Sequence, residues 1–94
     1  MKTVIKYGSK TCGPCIVYGP KFQDVADRTD GVNFISIDTA SGDPRILEHG
    51  IRNIPTTVVL DAKGKVLKKK SGVMSTDQLK EFIKWYYVKN KIRS

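Results

Sequence analysis

The chain has 94 residues, with 17 Lys and Arg against 9 Asp and Glu, giving a formal net charge of +8. That length fits a single domain with one core, here residues 1–94, near the lower end of the usual domain size. No segment is apolar for long enough to span a membrane, and Met1-Lys2 leads straight into a strand-like run instead of the apolar stretch of a secretory leader. The lysines are scattered along the chain without an aromatic-interleaved basic motif, which argues against nucleic-acid binding as the main function.

Thr3–Tyr7 reads as the first strand, and Gly8-Ser9-Lys10 as a turn. Both cysteines of the chain follow in Thr11-Cys12-Gly13-Pro14-Cys15, at the mouth of a helix expected over residues 12–29. The first N–H groups of a helix lack intrahelical partners and carry partial positive charge, so a sulfur placed there is favoured as thiolate, the form that attacks disulfides. Cys12 is then the exposed nucleophile, and Cys15, one turn further in, resolves the mixed disulfide. Pro14 is tolerated in a first turn, and Gly13 lets a partner approach. A structural disulfide is the plainer alternative, but it would close too small a loop to remove much unfolded-state entropy. A zinc site needs four ligands, and after the two cysteines only His49 remains. Cys-x-x-Cys beside a β-α-β pattern favours redox chemistry, and two cysteines in one such motif suit a reducing, cytoplasmic compartment.

Within the first helix, Ile16, Val17, Phe22, Val25 and Ala26 are the expected apolar face, Pro20 a kink, and Gly31 the left-handed cap after Thr29-Asp30. Val32–Asp38 is a second strand, parallel to the first because a helix separates them. Asp43 as N-cap and Pro44 in the first turn start a short helix that Gly50 closes. His49, at its end, is given no catalytic role. Residues 51–55 form a loop, and Pro55 just before strand Thr56–Leu60 is either a strand-edge proline or a cis-proline that leaves neighbouring backbone groups free for a substrate. Asp61–Gly64 is a turn, and Lys65–Ser71 is its partner strand, with Lys68–Lys70 marking an exposed edge. Ser75 and Gln78 form a capping box for a last helix from Thr76 to about Lys89, with Leu79, Phe82, Ile83 and Tyr86 on its apolar face. Trp85 and Tyr87 point elsewhere, and residues 90–94 form a basic tail.

The order β-α-β-α-β-β-α, with a four-stranded mixed sheet flanked by three helices, is an α/β arrangement that resembles the thioredoxin-like fold over nearly the whole chain. Cys12-Gly13-Pro14-Cys15 is identical to the thioredoxin family's active-site tetrapeptide. Pro20, Ile37-Asp38, the Gly50–Thr56 segment with Ile54-Pro55-Thr56, Gly72, and Gln78–Phe82 resemble further family positions. The resemblance implies reduction of protein disulfides by dithiol exchange, with no bound cofactor beyond the redox-active Cys12–Cys15 disulfide. It implies a substrate groove in which Pro55 and the Ile54 backbone hold one side, Gly72 and Val73 the other, and Thr11, Gly13 and Pro14 border the first cysteine.

Three departures stand out. The family's leading strand and helix have no counterpart, which brings the chain close to glutaredoxin in size. Thr11 replaces a tryptophan, removing a large apolar contact for partners. Lys6 stands where the family usually has a buried aspartate near the resolving cysteine. Either its stem packs on the sheet while the ammonium reaches water, or it lies near Cys15 and favours thiolate there. The expected partners are disulfide-containing proteins and an electron donor, either a thioredoxin-reductase-type enzyme or glutathione, and the expected state is a monomer. A glutathione-dependent, glutaredoxin-like reductase fits the short fold and basic surface. A redox-independent binding subunit of a larger complex fits the charge and the aromatic residues of the last helix.

Overall fold

The computed structural model describes residues 1–83. The elements run β1 (Lys2–Gly8), α1 (Gly13–Arg28), β2 (Val32–Asp38), a 3-10 turn (Thr39–Ser41), α2 (Arg45–Glu48), β3 (Thr56–Leu60) and β4 (Val66–Ser71). A further helix, α3, begins at residue 76 and continues through residue 83. The four strands form one mixed sheet in the order β2-β1-β3-β4, with β1 parallel to β2 and antiparallel to β3, and β3 antiparallel to β4. This is the expected arrangement. Tyr86, the basic tail and the two aromatics assigned to other faces of the last helix, Trp85 and Tyr87, lie outside the described residues.

Side chains alternate across β1, and the alternation sorts the core into two layers. Val4 packs with Tyr18, Phe22 and Val25 of α1, with Val59, and with Met74, Leu79, Phe82 and Ile83 at and before α3. Ile5 and Tyr7 face the opposite side, with Ile37, Val58 and Leu60, against Ile46, Ile51 and Ile54. All five residues of β3 are buried, as expected of a strand covered on both faces. By contrast, β4 is mostly exposed and forms the sheet edge, where its lysines discourage pairing with another chain.

The structure corrects several local expectations. On α1 the buried face is Cys15, Tyr18, Phe22 and Val25, at helical spacings of three and four. Ile16 and Val17 fall outside that stripe and are 63% and 56% exposed, so they are surface residues, not core. Pro20 lies inside the helix, as expected, and has no N–H to donate to the Ile16 carbonyl. It ends at Arg28 because Thr29 turns extended, with its hydroxyl donating to the Val25 carbonyl at 2.7 Å. Gly31 is left-handed but serves the turn into β2, two residues beyond the cap. In α2, Pro44 already has helical angles and occupies the cap position itself, while the Asp43 carboxylate accepts the Arg45 N–H at 2.9 Å. Gly50, with φ +63, closes this helix as expected. The Ser75–Gln78 capping box is present in both directions, at 2.9 and 3.1 Å.

Candidate active site

Cys12 is the N-cap of α1, extended at φ −92°, and Gly13 and Pro14 open the first turn. Pro14 has no N–H to leave unpaired there. The Cys15 N–H points back at Cys12 Sγ, 3.2 Å away, so a free donor of the helix start is directed at this sulfur. Cys12 and Cys15 are joined as a disulfide, with Cα atoms 5.2 Å apart. Cys12 is half-buried, whereas Cys15 is 7% exposed. An incoming group therefore reaches Cys12 first. Thr11, Gly13 and Pro14 are all exposed around it, and the Thr11 N–H is held by the Ser9 hydroxyl at 3.3 Å.

The facing wall comes from the loop before β3. The Ile54–Pro55 peptide is cis, and the Ile54 carbonyl oxygen lies 4.0 Å from Cys12 Sγ. The Thr56 hydroxyl donates to the Asn53 carbonyl at 2.6 Å and closes the loop. Gly72, at φ +97, adopts a conformation that a side chain would oppose, and its N–H donates to the Pro55 carbonyl at 2.8 Å. This bond sets the Gly72-Val73 turn beside Pro55, with Val73 39% exposed. The structure thus brings together Cys12, Cys15, Ile54 and Pro55, with Gly72 and Val73 adjoining them through Pro55.

Lys6 faces α1 because it alternates with Ile5 and Tyr7 along β1. It lines a hollow shared with Cys15, and its Nζ lies 5.4 Å from the centre of the Phe22 ring. Burial lowers Lys6 from the ordinary lysine value of 10.5. Two contacts near this region escaped sequence reasoning. A Cβ built on Gly8 would lie 3.4 Å from both Cβ and Sγ of Cys15, so this glycine leaves the space against the buried sulfur. Tyr7 Oη lies 2.6 Å from His49 Nδ1, which ties β1 to the end of α2. Burial pushes the Tyr7 phenol up to about 12 and lowers His49 from 6.5. Tyr7 carried a signal, since a buried tyrosine hydroxyl needs a partner, but His49 is 42 residues away and the sequence does not pair them. The sequence marks Lys69 only as an edge charge; in the structure its ammonium donates to the His49 and Gly50 carbonyls at the end of α2.

Among the described residues there is no group of three or more His, Cys, Asp and Glu placed to hold a metal ion. None of the described helices is long and apolar enough to cross a membrane.

An α/β sheet that presents a two-cysteine disulfide at a helix start, opposite a cis-proline loop, defines a thiol–disulfide oxidoreductase. The thioredoxin family model matches residues 1–85. A thioredoxin of Mycoplasmoides gallisepticum is 34% identical over 83 residues, covering 88% of this chain and 82% of that protein. Among solved structures, the thioredoxin of Malassezia sympodialis superposes with a TM-score of 0.80 at 30% identity, covering 89% of this chain and 73% of that one. The Fasciola hepatica thioredoxin does so with a TM-score of 0.80 at 25% identity, over 88% and 78%. The chain belongs to the thioredoxin family, and its redox centre is the Cys12–Cys15 pair.

Proposed function

We propose that the protein reduces disulfides of other proteins, with Cys12 as nucleophile and Cys15 as resolving thiol. The observation that carries this division is the difference in access: Cys12 caps the helix at the surface, whereas Cys15 is buried behind it. In the reduced protein the Cys12 thiolate attacks one sulfur of the target, and the other target sulfur leaves as a thiolate that takes a proton. Cys15 then attacks Cys12 Sγ, the internal disulfide forms, and the second target cysteine is released. The target chain lies in extended form against Ile54 and Pro55, with Gly72 and Val73 on its far side and Thr11, Gly13 and Pro14 around the attacking sulfur. A thioredoxin-reductase-type enzyme returns the two electrons. The protein works as a monomer in the cytoplasm, where two cysteines in a single redox pair are kept reducible.

The test is reduction of a disulfide-bonded protein by the wild type and by each single cysteine variant. Cys15→Ser accumulates a mixed disulfide with the target through Cys12, and Cys12→Ser forms none. Trapping through Cys15 in the Cys12→Ser protein would reverse the assignment. Rapid recharging by glutathione alone, with no need for a reductase, would replace the proposed donor.

A further inference from the structure

The two segments that face Cys12 run on into a second feature. Arg52 and Asn53 precede Ile54 and Pro55, and Lys69 to Ser71 precede Gly72 and Val73. Gly50, Arg52, Asn53, Lys69 and Ser71 border an open hollow of about 380 Å³. Polar contacts tie its two sides to the start of β3. Ser71 Oγ lies 3.4 Å from Thr56 Oγ1, and the Thr56 hydroxyl donates to the Asn53 carbonyl at 2.6 Å.

Strand alternation sends one lysine of the Lys68–Lys70 run to this side. Lys69 is paired with Val58 and shares its face of the sheet, the one that α2 covers. Lys68 turns the other way, with its ammonium 4.4 Å from the centre of the Phe82 ring. The Lys69 ammonium donates to the His49 and Gly50 carbonyls at 3.1 and 3.4 Å. The Cβ that Gly50 lacks would stand 3.5 Å from that ammonium, so the glycine leaves room for it. Both acceptors are neutral, so the contacts fix the charge in place without cancelling it. Arg52 is exposed at the same hollow. Among the described residues, Arg28 and Arg45 each bind an aspartate, whereas no carboxylate pairs with Arg52 or Lys69. No acidic residue borders the hollow, and its other polar side chains, Asn53 and Ser71, can donate hydrogen bonds.

We propose that this hollow is a subsite for an acidic side chain of the target protein, whose carboxylate Arg52 and Lys69 bind. This rests on the reading of the protein as a disulfide reductase whose target lies along Ile54 and Pro55. The Ile54 carbonyl oxygen is 4.0 Å from Cys12 Sγ, and Arg52 stands two residues further along that segment. Two residues span at most about 7 Å, and an extended target advances about 3.3 Å per residue. The carboxylate therefore sits about two or three positions from the target cysteine, on one side of it only. This is a local selection, separate from the general attraction of a chain of net charge +8 for acidic proteins.

The test is a competition in the Cys15→Ser protein, which retains the mixed disulfide. Each peptide carries one cysteine, through which it is joined to a copy of itself, and a single Glu or Gln two or three positions before or after that cysteine. The Cys12 thiolate attacks one peptide sulfur and bonds to it, the peptide disulfide breaks, and the second peptide leaves as a thiolate that takes a proton from water. Equimolar Glu and Gln peptides compete, and mass spectrometry reads the ratio of the two adducts. Exposed charge pairs support a preference of about fivefold for Glu on one side of the cysteine at low salt, and a smaller one at high salt. Arg52→Gln and Lys69→Gln are each expected to lower that ratio, and the two together to bring it near one. Lys69→Arg keeps the preference. Lys63→Gln, which removes the same charge from the turn after β3, leaves the ratio in place. Because the ratio is taken within one protein, a loosened fold in Lys69→Gln cancels from it. Equal preference for Glu on both sides of the cysteine, or an equal drop in Lys63→Gln, assigns the effect to net charge and overturns the subsite. Adducts that form at a ratio near one in the Cys15→Ser protein overturn the subsite and leave the reductase reading standing. Failure to trap any peptide overturns that reading and the subsite with it.

Discussion

Tyr18 and Thr57 join the two halves of the active site through a single buried bond. Tyr18 lies one turn past Cys15 on α1, and Thr57 lies two residues past Pro55 on β3. Their oxygens are 2.7 Å apart, and both residues are at 0% exposure. Tyr18→Phe keeps the ring in the core but strands the Thr57 hydroxyl with no water to replace its partner. Leaving one such group unsatisfied costs about 1–3 kcal/mol, so we expect a loss of about 2 kcal/mol. Thr57→Val strands the phenol instead and carries a similar cost. In the double variant both polar groups are gone and two apolar groups meet, which is close to neutral. Urea unfolding of the four proteins closes the cycle, with a coupling of about 4 kcal/mol from two single losses of about 2 kcal/mol and a near-neutral double variant, and little change in denaturant slope. For a domain of this size, each single variant loses on the order of 10 °C in melting temperature. Single-variant losses that simply add in the double variant would refute the claim that this bond joins helix to sheet.

Further expectations follow from the loops around the site. Gly72→Ala puts a side chain at φ +97 and is expected to cost about 1–2 kcal/mol, read by urea unfolding. Because Gly72 also holds Pro55, the same variant is expected to raise KM for a disulfide peptide more than it lowers kcat. His49 has a folded pKa lowered from 6.5 by burial, so the unfolded chain takes up its proton first as pH falls. Its contribution is complete above about pH 6.5 and declines below it. The urea midpoint of the wild type is expected to fall relative to His49→Gln on going from pH 7 to pH 5, and parallel midpoints would contradict the half-buried placement of His49.

The elements legible in the sequence were those whose signals are local. The β3 run Thr56–Leu60, the capping box at Ser75 and the Gly64 turn each depend on residues a few positions apart, and each is present. The redox pair was legible for the same reason, since its two cysteines are three positions apart. What the sequence did not show depends on packing between distant segments. Ile16 and Val17 are as apolar as the buried residues of α1, and only the direction from which the sheet approaches decides that Tyr18 is inside and they are not. Gly8 had the appearance of a turn residue until α1 brought Cys15 against it. The Tyr7–His49 and Lys69–His49 contacts unite three elements that no spacing rule connects. The environment of Lys6 was open on the same ground: alternation along β1 turns it toward α1, where it lines a hollow with Cys15 and its amine lies over the Phe22 ring.

The central claim, reversible dithiol chemistry at Cys12 and Cys15, is tested most directly by a redox titration of the purified protein in graded dithiol buffers, following the fraction of the pair that is oxidised. The account predicts one reversible two-electron transition that disappears when either cysteine is replaced by serine. A disulfide that stays closed across the accessible range of potentials, or a pair that cannot be reoxidised, would contradict it.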